Sequence, residues 1–335
     1  MASRTSLEQR LAALIDKFQP RLRAAYLAAV QDIVSTVQLA RVVKAIEQGD
    51  YVGAFQAIGF NGPALRPLTS MIEQAFEAGG IMVAGTAPRN AVFRFDVRNS
   101  RAEKWLREQS SSLVTRLSED TRVAVRNVMT DGMAAGRNPQ VIALDLVGRK
   151  NLSTGRREGG IVGLSAPQER YVANMRRDLE NLDERYFTRG RRDKRFDSIV
   201  RKAIKEGKPL GADTVDKLTG RYKDNLLKLR GDTIARTEAI SSLNRSEHEA
   251  LAQAREQGLT NTVKRAWDSA GDDGKTRESH LIMDGQTVGP DEPFTTPDGF
   301  KLMFPGDTSL GAPPEETINC RCRVRTIVDW LQDLD

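Results

Sequence analysis

The chain is poor in the residues that most often carry chemistry, with two cysteines and two histidines among 335 positions. Two thiols cannot build the disulfide framework of a small secreted domain, and synthesis in a cytoplasm predicts that they start reduced. No apolar run approaches the ~18 residues of a spanning helix. The opening Met1-Ala2-Ser3-Arg4-Thr5 is polar and lacks a signal-peptide core. These two absences predict no membrane partner. There is no nucleophile elbow, phosphate-binding loop or paired metal-carboxylate motif, and no helix-turn-helix or zinc-finger signature for reading bases. No internal repeat of useful length is visible.

What is present suits a folded protein. The sequence is 39% hydrophobic and 29% charged, and its length is enough for two domains, which excludes a disordered tail. The net charge of +6 is unevenly placed. From Arg185 to Lys208 ten Lys or Arg stand against three Asp or Glu, whereas from Asp268 to Glu316 eleven Asp or Glu stand against three cations. The first stretch suits phosphates and the second repels them.

The expected architecture is mainly α, with a long helical N-terminal part followed by a small α+β C-terminal domain. Leu11, Leu14, Ile15, Phe18, Leu22, Tyr26, Val30, Ile33, Val34 and Val37 recur at steps of three and four, the period of an amphipathic helix. Pro20 is expected to break it, with a short helix ending near Phe18 and a longer one opening at Pro20. Gly49-Asp50 supplies a stop, and a helix is expected from about Ala64 to Ala78. Ser100-Arg101-Ala102-Glu103 matches a capping box at the start of a long helix to near Met133. Asn138-Pro139 opens a shorter one and Pro167 another. A further helical region from Asp213 or Thr214 to Gly258 carries two possible breaks, at Gly220 and Gly231. After Gly258 the period shortens, and Val263 to Trp267, Phe300 to Phe304 and Val324 to Val328 read as strands between Gly/Pro/Asp turns. The domains expected in sequence order are a helical region 1–147, a mobile Gly-rich connection 148–166 open to ordering by a partner, a helical region 167–258 holding the basic segment, and an α+β domain 259–335. That last domain is expected to gather its own core around Trp267, Phe294, Phe304 and Ile327.

Both cysteines and one histidine fall between Trp267 and Cys322, among turn formers spaced too irregularly for one helix or strand. Cys320 and Cys322 are two apart, so on a strand their sulfurs share a face and a disulfide between them is strained. With His280 they offer three soft ligands for zinc, and Asp268, Asp284 or water would complete a tetrahedral shell. A metal-free, hydrogen-bonded core of buried thiols accounts for the same residues. Arg277 and Asp268 equally suit a charge pair that fixes the His280 loop. His248, between Glu247 and Glu249, reads as a solvated helix residue. His280 with Asp268 or Asp284 as base and orienter, and Cys320 as nucleophile, supply the residue types of a hydrolase, with no motif to back them. In the basic segment Arg189, Arg191, Arg192, Lys194 and Arg195 lie beside Tyr186, Phe187 and Phe196. Such a cluster is either a solvated helix face or a non-specific contact for double-stranded DNA.

Arg236-Thr237-Glu238, Trp267-Asp268, Thr276-Arg277-x-x-His280, Asp284-Gly285-Gln286, Phe294, Pro305-Gly306-Asp307 and Asn319-Cys320-x-Cys322, in that order, resemble the phage Mu F-like head morphogenesis family, minor head proteins of tailed bacteriophages. The resemblance covers roughly the last third of the chain. It implies a structural and binding protein of the virion, not an enzyme, carried in several copies. Its implied partners are the portal protein, the major capsid or scaffold protein and packaged DNA, and its implied place is the capsid interior near the portal. Arg236, Glu238, Trp267, Arg277, Asp284, Gly306, Asp307 and Asn319 become its structural motif residues, and the helix bearing Arg236 the floor of the domain. The helical part up to Gly258 is expected to dock on the portal or inner capsid. The alternative is a zinc-dependent hydrolase or toxin-like effector, since domains of this family also occur joined to toxin modules.

Overall fold

A computed structural model describes residues 6–88 and 91–331; the polar opening Met1 to Thr5 lies outside them. The fold is mainly α, with the strands of a small α+β region gathered near the C-terminal end, as the hydrophobic periods predict. In chain order the helices are α1 (Leu7–Thr36), α2 (Leu39–Glu47), α3 (Tyr51–Ile58), α4 (Arg66–Ala84), α5 (Ser100–Ala134), α6 (Pro139–Val147), α7 (Ala166–Glu180), α8 (Asp197–Glu206), α9 (Ala212–Glu256), α10 (Glu278–Ile282) and α11 (Pro314–Thr317). Strands β1 (Arg149–Lys150) and β2 (Arg157–Glu158) form a hairpin before α7. Strands β3 (Thr260–Asp268), β4 (Thr287–Val288), β5 (Phe294–Thr295), β6 (Lys301–Leu302) and β7 (Arg323–Trp330) follow α9. No helix among the described residues is long and apolar enough to cross a membrane.

Several helices run through residues that read as breaks. Pro20 lies inside α1, whose flanking Phe18 and Leu22 are both buried, so packing on either side offsets the one missing hydrogen bond. Gly79 and Gly80 lie inside α4, where absent side chains make room. A Cβ on Gly79 would meet Ser246 Oγ at 2.9 Å, and one on Gly80 would sit 2.0 Å from the Phe95 ring. α9 is continuous over 45 residues, past Gly220 and Gly231. The cap of α5 is Asn99, one residue earlier than the expected Ser100: its Oδ1 accepts the Arg101 N–H at 3.0 Å.

The chain forms two compact units, each assembled from segments distant in sequence. One draws on Met1–Ala25, Leu68–Ser110 and Asp232–Asp335, the other on Tyr26–Pro67 and Ser111–Gly231. Helices α1, α4, α5 and α9 each give residues to both. In the first unit β3 is the middle strand of an antiparallel sheet in the order β4-β3-β7. One face of this unit's core contains Trp267, Phe294, Leu302, Phe304, Val324 and both cysteines. A second cluster joins Val83 of α4 and Ala250, Leu251 and Ala254 of α9 to Leu259 and Val263. The strands are therefore not self-contained, and Ile327, expected in their core, is 55% exposed.

In the second unit the Gly-rich segment is no spacer. Ile161, Val162 and Leu164 are buried, Tyr26 donates its hydroxyl to the Gly163 carbonyl, and Gly159 lies against Gly220. Beneath the hairpin, Asp145 is 4% exposed and is met by Lys223 at 3.0 Å and Arg137 at 2.5 Å, with Arg176 and Arg149 just beyond. Burial alone would raise the Asp145 carboxyl, but Lys223, Arg176 and Arg137 hold it well below the usual range.

Candidate functional site

The register of β3 against β7 explains why residues forty apart converge. Trp267 pairs with Val324 and Asp268 with Arg323, so the chain leaving β3 starts beside the chain entering β7. The first leads to α10, which carries His280, and the second carries Cys320 and Cys322. His280 Nδ1 lies 3.6 Å from Cys320 Sγ and 3.4 Å from Cys322 Sγ, and the three side chains are buried to 1–2% exposure. No disulfide joins the thiols. The Trp267 ring packs edge-on against the imidazole, with centroids 5.0 Å apart, and separates it from Phe294.

The cysteine loop is anchored from two sides. Asn319 holds the left-handed conformation, at φ +60°, which turns the chain toward both sulfurs. Its N–H donates to Thr237 Oγ1 at 2.9 Å and its Oδ1 accepts from Arg236 Nη1 at 3.0 Å. The Arg-Thr-Glu triplet on α9 thus touches the Asn-Cys-Arg-Cys motif directly. Glu238, fully buried, accepts from Gln109 Nε2 at 2.8 Å. From the other side Arg277 donates to the Ile318 carbonyl, and Arg321 pairs with Asp273 at 2.5 Å and donates to Thr276 Oγ1.

The remaining motif residues shape turns. Asp284 accepts the Ser269 N–H at 2.8 Å, and Gly285 donates to the Trp267 carbonyl. Asp307, 2% exposed, accepts the N–H groups of Met303 and Ser309, both at 2.9 Å. Gly306, at φ +85°, brings its backbone against Ser241 of α9, where a Cβ would come within 3.4 Å.

Two sequence expectations are corrected here. Asp268 joins neither the thiols nor Arg277: its carboxyl meets Glu8, whose own carboxyl is raised by burial and by that contact. The loop's charge pair is Asp273 with Arg321. His248 is not solvated but half-buried against the Phe304 ring, and burial lowers its imidazole to about 3. Its neighbours Glu247 and Glu249 are buried.

The carboxylate beside His280 is Glu316, which sequence reasoning did not single out. Its Oε2 lies 2.9 Å from His280 Nε2, out of hydrogen-bond alignment, and accepts from Ser279 Oγ at 3.0 Å. Nothing in the run Pro-Pro-Glu-Glu-Thr marks it; α11 alone delivers it. Cys322 is pulled down to about 5 by a hydrogen bond from Cys320 and by His280, whereas Cys320, donating to Cys322 and buried, is raised. The group gathers two buried thiols and an imidazole. Its chemistry is that of a soft ligand set, closed off from solvent.

The basic segment lies in the other unit and is largely self-paired. Arg189 binds Asp178 at 2.7 Å, Arg192 binds Asp197 at 2.9 Å, and Arg195 binds Asp193 at 2.6 Å. Tyr186 is fully buried, and Arg192 lies over the Tyr186 and Phe187 rings. Arg191 and Lys194 are exposed.

Residues 194–325 match the family model described as Phage Mu protein F like protein. The uncharacterized protein YqbB of Bacillus subtilis (strain 168) is similar at 33% identity over 102 residues, 30% of this chain and 31% of that protein. The match therefore spans about a third of the curated relative's length. No solved structure matches. The thiols, His280 and their anchors on α9 all lie within the segment that is similar to the Phage Mu protein F like family.

Proposed function

We propose that this chain is a minor head protein of a tailed bacteriophage that associates with the portal and the capsid interior, in several copies, and assists DNA packaging, retention or ejection. It acts by binding, not by catalysis. The observation that carries this reading is how the family's motif residues are used. Arg236 and Asn319, Arg277, Asp284, Gly306 and Asp307 all fasten one piece of chain to another. The residues a hydrolase would need, His280 and Cys320, are each 1% exposed. A nucleophile must reach its substrate, so this burial favours the assembly reading over the effector reading.

The experiment is co-expression of the full chain with the portal and capsid proteins of its own phage, followed by purification of procapsids. The chain is expected in procapsids that contain portal and not in portal-less shells. Equal incorporation in both would reject the portal association, and absence from both would reject the head-protein reading. Cutting the chain at residue 258 is no substitute, because it divides the core that Ala250 and Leu251 share with Leu259 and Val263.

A further inference from the structure

We infer that His280, Cys320 and Cys322 bind a zinc ion that clasps the start of β7 to α10. Zinc–sulfur bonds of about 2.3 Å and a zinc–nitrogen bond of about 2.0 Å, opened at the tetrahedral angle, set sulfur-to-nitrogen edges of roughly 3.5 Å. The two edges here are 3.4 and 3.6 Å, and all three donor atoms lie within 4.8 Å of one another. A metal-free cluster requires no such equality, since one thiol can satisfy the imidazole while the other turns away. Mixed thiolate and imidazole donors are the soft set that zinc takes.

One outer feature agrees. With Nδ1 facing the ion, the His280 proton sits on Nε2, beside Glu316 Oε2 at 2.9 Å, and Glu316 is itself held by Ser279. A carboxylate on the far nitrogen is the recurrent outer partner of a metal-bound histidine.

Burial decides the role of the ion. At 1–2% exposure the donors leave no route for a substrate, so the ion is structural. Binding releases the thiol protons to solvent. The inference rests on side-chain geometry and stands whether or not the chain meets a portal.

The test uses the full chain, grown with zinc and analysed for metal. About one zinc per chain is expected, with a lower melting temperature after chelation. Exchange with cobalt should give thiolate-to-metal charge-transfer bands that fall in Cys320→Ser and in Cys322→Ser. No retained metal, together with melting that a chelator leaves unchanged, would overturn the inference. So would zinc retained undiminished in the double Cys→Ser variant, which would place the ion elsewhere. If a variant fails to fold, the wild-type cobalt spectrum decides, because charge-transfer bands support a thiolate site and their absence rejects it.

Discussion

Glu316 Oε2 lies 2.9 Å from His280 Nε2, while both thiols approach Nδ1 on the other side of the ring. One imidazole thus has soft donors at one nitrogen and a carboxylate beside the other, so a proton on Nε2 faces Glu316 and leaves Nδ1 free to bind. Glu316→Gln is expected to weaken zinc affinity by about 10- to 100-fold without abolishing binding. Competition with a chromophoric chelator measures this. Affinity equal to wild type would remove Glu316 from the site.

Glu247 of α9 predicts a pH dependence. It is buried, accepts from Thr326 Oγ1 at 2.6 Å through Oε1, and has no hydrogen-bond partner for Oε2 among the described residues. Burial raises its carboxyl from 4.5 to about 7. Between these values the folded chain keeps a proton that the unfolded chain has lost, so stability falls as pH rises and levels off above the folded value. The full effect is about 3 kcal/mol. Glu247→Gln should remove this slope, and melting temperatures of both proteins from pH 4 to 8 would show it as a widening gap. Parallel curves would mean that Glu247 does not titrate as its burial requires.

Pairing within the basic segment separates DNA contact from folding. Arg191 and Lys194 are exposed, whereas Arg189 and Arg192 are bound to Asp178 and Asp197. If the segment meets duplex DNA, Arg191→Ala with Lys194→Ala should lower affinity and flatten the log-log salt slope by about 2, with melting unchanged. Arg192→Ala should instead destabilise the fold by about 2 kcal/mol. Fluorescence anisotropy over a salt series reads the first effect and calorimetry the second. An unchanged salt slope in the double variant would eliminate the DNA assignment.

The ion cluster around Asp145 should be intolerant of losing its anion. Lys223 is 3% exposed, and Asp145→Ala leaves its ammonium buried without that carboxylate. A loss of about 3–5 kcal/mol is expected. Asp145→Ala with Lys223→Met should recover much of it, since an apolar pair of similar volume meets no desolvation penalty. Urea unfolding of both variants is the check, and equal stability of the two would contradict the coupling.

The sequence exposed the family segment because its motifs are rare residues in a fixed order. It did not expose the contact between Arg236 and Asn319, which no period or spacing encodes across 83 residues. Helices were legible from apolar steps of three and four, but their extents were not. Pro20, Gly220 and Gly231 read as breaks by local propensity, and the helices run through each of them. The basic run was legible as charge and misleading as free charge. Asp178, eleven residues before Arg189, returns to it only because the chain turns after α7. Glu316 was invisible for a related reason, since a carboxylate on a four-residue helix has no pattern to mark it.

The antiparallel partnership of β3 and β7 also sets an order of events during synthesis. Asp268 emerges before Arg323, and the residues between them supply only the short contact of β4 to the other side of β3. Throughout that interval β3 presents an open edge, the kind of backbone that recruits strands from other chains. Chains made in quick succession would meet with these edges unpaired. Closure then falls to the stretch around Asn319, which reaches α9 just before β7 is laid down. A substitution at Asn319 should therefore show itself first as lost soluble yield at high expression.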